Sequence, residues 1–416
     1  MLNKSTIQYQ YEQAAEDNLR ILVVGAGIAG ITAAQLLRKN GQHPVLIERD
    51  KDASHPGYML ALMPMVDAVV NDLNVREGYL KQSTALDRYG FHEHQGKSLR
   101  VDSMAEILSR YGDYRGIARG KLLEVLTNEG CDVAFDTTVT AISETSEISR
   151  VDFKTGTETC QLDFDLVIVA DGIHSSTREL VLKKQKIDIV DTHWGGWVVW
   201  APEDENMDLG EELWGAGFFF GVYPVKGKLG VFLGGSLKDT KIGPKAFVSK
   251  IRKKLDIISP RIESCLRSIE ETDKPFYWPL KDCRSPQWAF NHTILLGDAA
   301  AGFLPTAGIG AGMAMESAWV LTRMLHYSNK ENVATMLKAY EKLQRPRVES
   351  AQGNSRGLAW LMFHKSKILA YIRDWAMRLV SVEMALKPIQ KLVANSPNPD
   401  GIAKSILNRE SNNNQT

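Results

Sequence analysis

Three glycines near the start of the chain follow an apolar run and have a spacing suited to binding phosphate. They are Gly25, Gly27 and Gly30, which give the pattern G-x-G-x-x-G. Gly25 permits a tight turn, Gly27 lets the backbone approach a pyrophosphate, and Gly30 lets a helix pack closely on a strand. Ile28 and Ala29 open the predicted helix, whose N-terminal N–H groups attract phosphate oxygens. The pattern predicts a dinucleotide site, although a nicotinamide dehydrogenase would show the same fingerprint.

An acidic residue follows at the distance that such a site requires. Glu48 ends a second apolar run, about twenty residues beyond the glycines, where a carboxylate accepts hydrogen bonds from the ribose hydroxyls of adenosine. Arg49 comes directly after it. Residues 19–48 are therefore predicted to form one right-handed βαβ unit.

A second glycine-rich loop lies far along the chain, in the stretch LLGDAAAGFLPTAGIGAGMAMESA. A buried strand over 293–296 leads into Gly297 and Asp298, and the carboxylate can bind a ribitol or ribose hydroxyl. The glycines beyond them let backbone N–H groups approach a flat ring or a pyrophosphate, and a helix is predicted to begin near Gly312 or Met313. The predicted contacts in this loop are Pro305, Gly308, Gly310, Ala311, Gly312 and Met313.

A third loop, VIVADGIHSSTR at 167–178, places Asp171 and Gly172 at another strand end, followed by Ser175 and Arg178. A small dinucleotide does not need such loops at opposite ends of a chain, whereas a large one that is wrapped by both does. The three loops together therefore favour FAD.

In order and spacing these loops resemble those of the FAD-dependent monooxygenase family with the para-hydroxybenzoate hydroxylase fold. Arg119, in the segment IARGKLLEVL, is similar to the family's flavin-contacting arginine. The resemblance implies that NAD(P)H binds transiently and reduces FAD. Reduced flavin and O2 would then form a C4a-hydroperoxide that hydroxylates an aromatic or polycyclic small molecule. Many members carry His after Gly-Asp-Ala-Ala, and here that residue is Ala301, which changes the subfamily rather than the reaction class.

The elements that must position these loops indicate an α/β fold. A Rossmann-like FAD-binding domain, discontinuous along the chain, is predicted over 19–55, 102–187 and 283–345. An antiparallel β-sheet domain for the substrate is interleaved with it, over 56–101 and 188–282. A C-terminal helical region is predicted over 346–410.

Within the substrate domain, apolar runs are broken by glycine turns such as Val225-Lys226-Gly227-Lys228, which is typical of hairpins. Residues 56–64 and 88–101 are predicted to add strands to the same sheet. Aromatic residues there belong to sheet cores more often than to substrate cages, but the family's sheet covers its active site. The substrate candidates are Gly57, Trp197, Phe220, Tyr223 and Phe303.

No metal site is predicted. His92 and His94 flank Glu93 on a predicted strand, but without a convincing third ligand we expect a solvated or hydrogen-bonded strand face. The four cysteines show no C-x-x-C pattern and are expected to be free thiols in a reducing compartment.

Charge and hydropathy limit the partners. Lys+Arg and Asp+Glu balance at 50 each, which leaves no electrostatic case for nucleic acid. With neither a signal peptide nor a run of about 18 apolar residues, a cytoplasmic chain without a transmembrane segment is expected. Monomer and homodimer are equally allowed.

The segment 369–384 is predicted to be an amphipathic helix. Its apolar face is predicted to carry Leu369, Ile372, Ala376, Leu379 and Val380. The charged residues Arg373, Asp374 and Arg378 lie mostly off that face. Packing of the apolar face on the body is expected, and docking on a membrane surface is the alternative.

Other functions stay open on these residues. A reductase or dehydrogenase similar to the prenyl reductases would use the same fold without O2, and a non-enzymatic flavin sensor would keep the glycine loops without a closed cavity. Among monooxygenases, phenol-type hydroxylases and tetracycline-inactivating enzymes both fit. No side chain is assigned as a catalytic acid or base, because the chemistry is expected to occur on the flavin.

Overall fold

A computed structural model describes residues 1–53, 57–379 and 382–413. Its strands, in chain order, are β1 (Leu2–Lys4), β2 (Ile21–Val24), β3 (Val45–Ile47), β4 (Met59–Leu62), β5 (Thr84–Ala85), β6 (Arg88–His92), β7 (Ser98–Ser103), β8 (Arg115–Ala118), β9 (Cys131–Val133), β10 (Thr137–Glu144), β11 (Ser149–Thr155), β12 (Glu158–Phe164), β13 (Leu166–Val169), β14 (Asp188–Pro202), β15 (Leu209–Trp214), β16 (Phe218–Val225), β17 (Lys228–Ser236), β18 (Phe276–Arg284), β19 (Thr293–Leu295) and β20 (Ala301–Gly302).

Its α-helices are α1 (Ile7–Gln13), α2 (Ile28–Lys39), α3 (Asp67–Asp72), α4 (Arg76–Gln82), α5 (Met104–Leu108), α6 (Arg119–Leu126), α7 (Ser176–Leu182), α8 (Leu237–Thr240), α9 (Pro244–Arg252), α10 (Pro260–Glu271), α11 (Gly310–Leu325), α12 (Val333–Met362), α13 (Lys367–Met377), α14 (Val382–Ala394) and α15 (Pro399–Asn413).

A four-stranded parallel sheet in the order β19-β13-β2-β3 carries the three loops singled out above. Its strands are short, apolar and buried along their whole length, as strands covered on both faces must be. Because parallel strands end at the same edge of a sheet, the segments that begin at Gly25, Glu48, Ala170 and Leu296 meet there. The predicted α/β fold with a parallel core is confirmed.

A larger sheet of eight strands has the order β20-β18-β14-β17-β16-β15-β6-β7 and is antiparallel except where β15 pairs with β6. The predicted hairpin is confirmed, because Val225 pairs with Lys228 across a two-residue turn in which Gly227 has a φ of 74°. Strands β6 and β7 join the sheet as predicted for 88–101. The expectation for 56–64 was wrong, since β4 pairs with β8 in a separate three-stranded sheet.

The two faces of the eight-stranded sheet bury different neighbours, because successive side chains of a strand point in opposite directions. One face packs on α9 and α10, with Trp197, Phe218 and Phe220 in contact with a cluster that includes Phe247 and Leu266. The opposite face packs on α12 and the segment after it. Its buried residues include Trp194, Val198, Trp214, Phe219 and Phe232.

The predicted helix over 369–384 corresponds to two helices, α13 and the start of α14, and residues 380–381 lie outside the described part of the chain. The expected orientation was also wrong. Arg373 and Asp374 are buried against the body, whereas Leu369 and Ile372 are exposed. Among the described residues, no helix is long and apolar enough to cross a membrane.

Candidate active site

In the first glycine loop, Gly27 lines a cavity, whereas Gly25 and Gly30 lie against other parts of the backbone. Gly25 has a φ of 102°, and a Cβ on it would lie 2.6 Å from the Ala170 carbonyl oxygen. A Cβ on Gly30 would lie 1.9 Å from the Gly25 carbonyl oxygen. By contrast, a Cβ on Gly27 would meet no atom within 4 Å, because Gly27 lines the cavity at the N-cap of α2. Only Gly27 keeps space free for something other than protein.

Ile28 and Ala29, in the first turn of α2, also line the cavity. Next to this loop, Glu48 accepts a hydrogen bond from the Ala26 N–H at 2.8 Å, so its carboxylate fastens the loop to the end of β3. Arg49 is exposed.

The G-D loop meets the first loop closely. Gly297 has a φ of 59°, and a Cβ on it would lie 2.7 Å from the Cβ of Ala29. Asp298 has an accessible surface toward the cavity. The surrounding protein still desolvates its carboxyl and raises the pKa to about 6, with Arg178 opposing the shift. Among the described residues, no donor is seen to hydrogen-bond its carboxylate.

The D-G loop is fastened to the G-D loop by Arg178. This buried guanidinium donates to the carbonyl oxygens of Ile173 at 2.8 Å and Ala299 at 3.1 Å. Ser175 caps α7 by accepting the Arg178 N–H at 2.8 Å. Gly172 lines the cavity, and Oδ1 of Asp171 is buried without a hydrogen-bond partner among the described residues.

The start of α11 supplies N–H groups to the same cavity. The helix begins at Gly310, earlier than predicted, after a left-handed turn at Gly308 with a φ of 63°. Pro305, Gly308, Gly310 and Ala311 line the cavity. Two predicted contacts in this stretch do not line it. A Cβ on Gly312 would lie 2.9 Å from the sulfur of Met65. Met313 is buried, and its N–H is bonded to the Ile309 carbonyl.

Arg119 begins α6 at the cavity wall, as the resemblance implied for a flavin contact. Its N–H donates to the Tyr58 carbonyl at 2.9 Å, and its guanidinium hydrogen-bonds the Tyr58 hydroxyl. Burial raises the pKa of this tyrosine. Tyr58 therefore takes the position beside the cavity that was predicted for Gly57, which does not line it.

These loops, the inner face of the eight-stranded sheet and the C-terminal helices enclose one cavity of about 570 Å³. Tyr223 and Phe303 line it as predicted, but Trp197 and Phe220 do not. Their neighbours Val198 and Phe219 line it instead, because the period of a strand puts adjacent residues on opposite faces. The aromatic residues of the wall are Tyr58, Tyr89, Phe91, Tyr114, Trp214, Phe219, Tyr223, Phe232, Trp278, Phe303 and Phe363.

A buried carboxylate, that of Glu212, lies among the aromatic residues of this wall. Oε1 of Glu212 accepts hydrogen bonds from the hydroxyls of Tyr89 and Tyr223, both at 2.5 Å. Oε2 accepts the indole N–H of Trp214 at 2.7 Å. Burial raises the pKa of the Glu212 carboxyl against the effect of these donors, and it raises the pKa of both tyrosines well above 10. Sequence analysis missed Glu212, although an acid among the apolar residues of β15 is a detectable signal.

The two histidines considered for a metal are used in hydrogen bonds. His92 contacts Glu211 at 3.0 Å and the Gly96 carbonyl at 3.1 Å, and His94 contacts Asp374 at 2.6 Å. Within the described ranges no group of three or more His, Cys, Asp or Glu residues is arranged to hold a metal ion.

The arrangement fits a diphosphate that carries many hydroxyls. Open space at Gly27 and two helix N-termini suit a pyrophosphate. The Asp298 carboxylate and Oδ1 of Asp171, for which no donor is seen among the described residues, suit the hydroxyls of ribose or ribitol. FAD has both kinds of group, so the residues present fit this cofactor.

Comparison with known proteins gives the family. The family described as FAD binding domain matches residues 18–355. A flavin-dependent monooxygenase of Legionella longbeachae is 25% identical over 357 residues, which cover 80% of this chain and 87% of the relative. A 6-hydroxynicotinate 3-monooxygenase of Bordetella bronchiseptica is 25% identical, covering 82% and 92%.

Solved structures share the fold. Klebsiella pneumoniae HpxO complexed with FAD and uric acid has a TM-score of 0.80 at 21% identity, covering 92% of this chain and 99% of that one. The tetracycline destructase Tet(55) has a TM-score of 0.68 at 20% identity, covering 91% and 98%. The chain belongs to the FAD-dependent monooxygenase family with the para-hydroxybenzoate hydroxylase fold, and it is an FAD-dependent monooxygenase.

Proposed function

We propose that this monooxygenase hydroxylates an aromatic or polycyclic small molecule, with NAD(P)H as the electron donor and O2 as the oxygen source. One O2, one NAD(P)H and one proton are consumed for each substrate C–H that becomes C–OH, and water and NAD(P)+ are released. NAD(P)H is proposed to bind transiently, since the sequence has no second G-x-G-x-x-G after a strand.

FAD supplies the redox chemistry when it is bound, and the chain holds it in place. We propose that Gly27, Gly310 and Ala311 present backbone N–H groups to its charged parts, and that Asp171 and Asp298 accept hydrogen bonds from its hydroxyls. Arg119 is proposed to contact it beside Tyr58. The support for these roles is that Gly27, Asp298 and Arg119 line one cavity. Oδ1 of Asp171 is buried without a donor among the described residues.

The observation that carries the substrate class is the aromatic wall of the cavity with the buried Glu212 carboxylate among its rings. Flat rings pack well against such a wall and exclude water from it. The Glu212 carboxylate accepts three hydrogen bonds from protein donors. Because a carboxylate has about four acceptor positions, one position is available to a substrate hydroxyl or N–H. We therefore propose a planar substrate with a hydrogen-bond donor. Uric acid, bound in HpxO, and 6-hydroxynicotinate, named for the Bordetella relative, are both compatible with this proposal.

A stopped-flow experiment tests the proposal. The holoenzyme is mixed with NADH or NADPH and O2 in the presence of hydroxylated N-heteroaromatics, phenols, quinolones and tetracyclines. We expect one class to accelerate both flavin reduction and O2 consumption, and its product to carry oxygen from 18O2. Slow reoxidation with no labelled product for any member would refute hydroxylation and favour the reductase alternative. A labelled product from tetracyclines alone would identify the tetracycline-inactivating class.

A further inference from the structure

Helix α13 is docked on the body by its polar face. Arg373 and Asp374 are 5% and 4% exposed. Asp374 accepts the His94 N–H at 2.8 Å, and Arg373 pairs with Asp374 at 3.0 Å and donates to the Trp214 carbonyl. An amphipathic helix on a globular protein normally buries its apolar stripe, so this orientation is the reverse of the usual one.

The apolar stripe of α13 therefore faces outward. Its members recur at intervals of three and four residues, which places them on one side of a helix. They are between 47% and 74% exposed, far more than large apolar side chains usually are. Together with Trp360, at the end of α12, we call them the apolar patch: Trp360, Ile368, Leu369, Tyr371, Ile372, Trp375 and Leu379.

Lysines border the apolar patch at the N-terminal end of α13. Lys365 and Lys250 share Asp239, at 3.0 and 2.9 Å. Lys254 lies close enough to Lys250, Lys365 and Lys367 for their charges to lower its pKa, an effect second to that of its own burial. Four ammonium groups around one carboxylate leave a local positive charge, although the whole chain has a net charge of zero.

The apolar patch is one helix away from the active-site cavity. Ala376 and Met377 of α13 line that cavity, and so do Val382, Leu386 and Ile389 of α14. Helix α13 thus forms the wall between the cavity and the exposed stripe.

We propose that α13 lies in the interfacial layer of an anionic bilayer, with the apolar patch among the lipid chains and the lysines at the headgroups. Trp and Tyr side chains suit this depth, and a helix with a large apolar face and lysines beside it binds there through buried area plus electrostatic attraction. A second copy of the chain is a poorer occupant, because the apolar patch contains no acidic residue that could meet the lysines of the other copy. As an extension that rests on the proposed function, an apolar substrate would pass from the membrane into the cavity beside α13.

Vesicle flotation of the holoenzyme tests the proposal. The protein is mixed with vesicles of phosphatidylcholine alone or of equimolar phosphatidylcholine and phosphatidylglycerol. We expect flotation with the anionic vesicles, and a fall of about tenfold or more in bound protein for the double variant Ile372→Ser/Trp375→Ser. The double variant Lys365→Gln/Lys367→Gln should weaken binding to the anionic vesicles and reduce the preference for them, because two of the four lysines are lost.

Tyr9→Ser is the matched control, because Tyr9 is an equally exposed aromatic residue on α1. It should float like the wild type. No flotation with either vesicle, or flotation of the Ile372/Trp375 variant at the wild-type level, would overturn the proposal. A dimer in light scattering that dissociates in that variant would identify a second copy as the occupant instead. Flotation needs no turnover, so its outcome is separable from the test of hydroxylation.

Discussion

A valine at position 27 would have to place its side chain inside the cavity. Gly27 has φ −79° and ψ −173°, an extended conformation that any residue adopts. A Cβ there would meet no protein atom within 4 Å. Folding of the cofactor-free chain should therefore tolerate Gly27→Val, with a change of about 1 kcal/mol at most from the altered N-cap and the stiffer unfolded chain.

Cofactor binding should respond very differently to the same change. Displacing a pyrophosphate from the N-terminus of α2 removes hydrogen bonds to a charged group and the favourable field of the helix. These effects total about 2–4 kcal/mol, or roughly 30- to 1,000-fold in the Kd for FAD.

Gly30→Ala is the contrasting variant. Its Cβ would lie 1.9 Å from the Gly25 carbonyl oxygen, where real Cβ atoms essentially never come within 3.0 Å, so the loop must shift. We expect this variant to lose stability even without FAD, by about 1–3 kcal/mol.

The assay is titration of FAD into stripped protein, from which the cofactor has been removed, followed by flavin fluorescence. Denaturant unfolding of the same stripped samples measures their stability. Wild-type affinity in Gly27→Val would refute the assignment of this loop to the cofactor. Unfolding of stripped Gly27→Val at much lower denaturant than the wild type would refute the argument that position 27 faces open space.

Three further predictions concern acids and the sheet. Asp298→Asn should lower FAD content after gel filtration. In stripped protein the Asp298 carboxyl has a folded pKa of about 6, above its ordinary 3.8, so it is easier to keep protonated when folded. The free energy of unfolding should therefore fall as the pH rises between these two values, and Asp298→Asn should reduce this dependence on pH. The check is denaturant unfolding at several pH values, and the same pH dependence in the variant would contradict the raised pKa of Asp298. Glu212→Gln should leave the FAD content unchanged and raise the substrate KM about 5- to 150-fold, because a hydrogen bond of roughly 1–3 kcal/mol to the substrate is lost. An unchanged KM would show that Glu212 does not bind the substrate. Phe220→Leu should cost about 1–3 kcal/mol of stability with little change in KM, whereas Phe219→Leu should change KM, and equal kinetic effects would contradict the assignment of the two faces.

The buried Arg373–Asp374 pair connects two parts of the molecule that the chain order does not suggest are neighbours. Asp374 contacts His94 in the turn between β6 and β7, and Arg373 reaches the backbone of β15. Since β6 and β15 also carry Tyr89 and Glu212, α13 is fastened to the same strands that form the polar end of the cavity. A displacement of α13 would therefore shift the strands that carry Tyr89 and Glu212 more directly than it would shift the cofactor loops.

The sequence by itself determined the cofactor loops. Gly25 and Gly297 have positive φ, and Gly30 lies where another part of the backbone comes too close for a side chain. Because these positions require glycine, their spacing between a strand and a helix can be recognised in the sequence alone. The family and FAD as cofactor followed from three such loops in order.

Tertiary structure decided which face of each strand and helix lines the cavity. Alternation along β14 and β16 separates Trp197 from Val198 and Phe220 from Phe219, but it does not say which set meets the cofactor domain. The same holds for α13, where periodicity identified the two faces and not the one that packs. That choice depended on His94 and on the Trp214 carbonyl, partners far away in the chain, whose hydrogen bonds hold Arg373 and Asp374 inside and leave Ile372 and Trp375 outside.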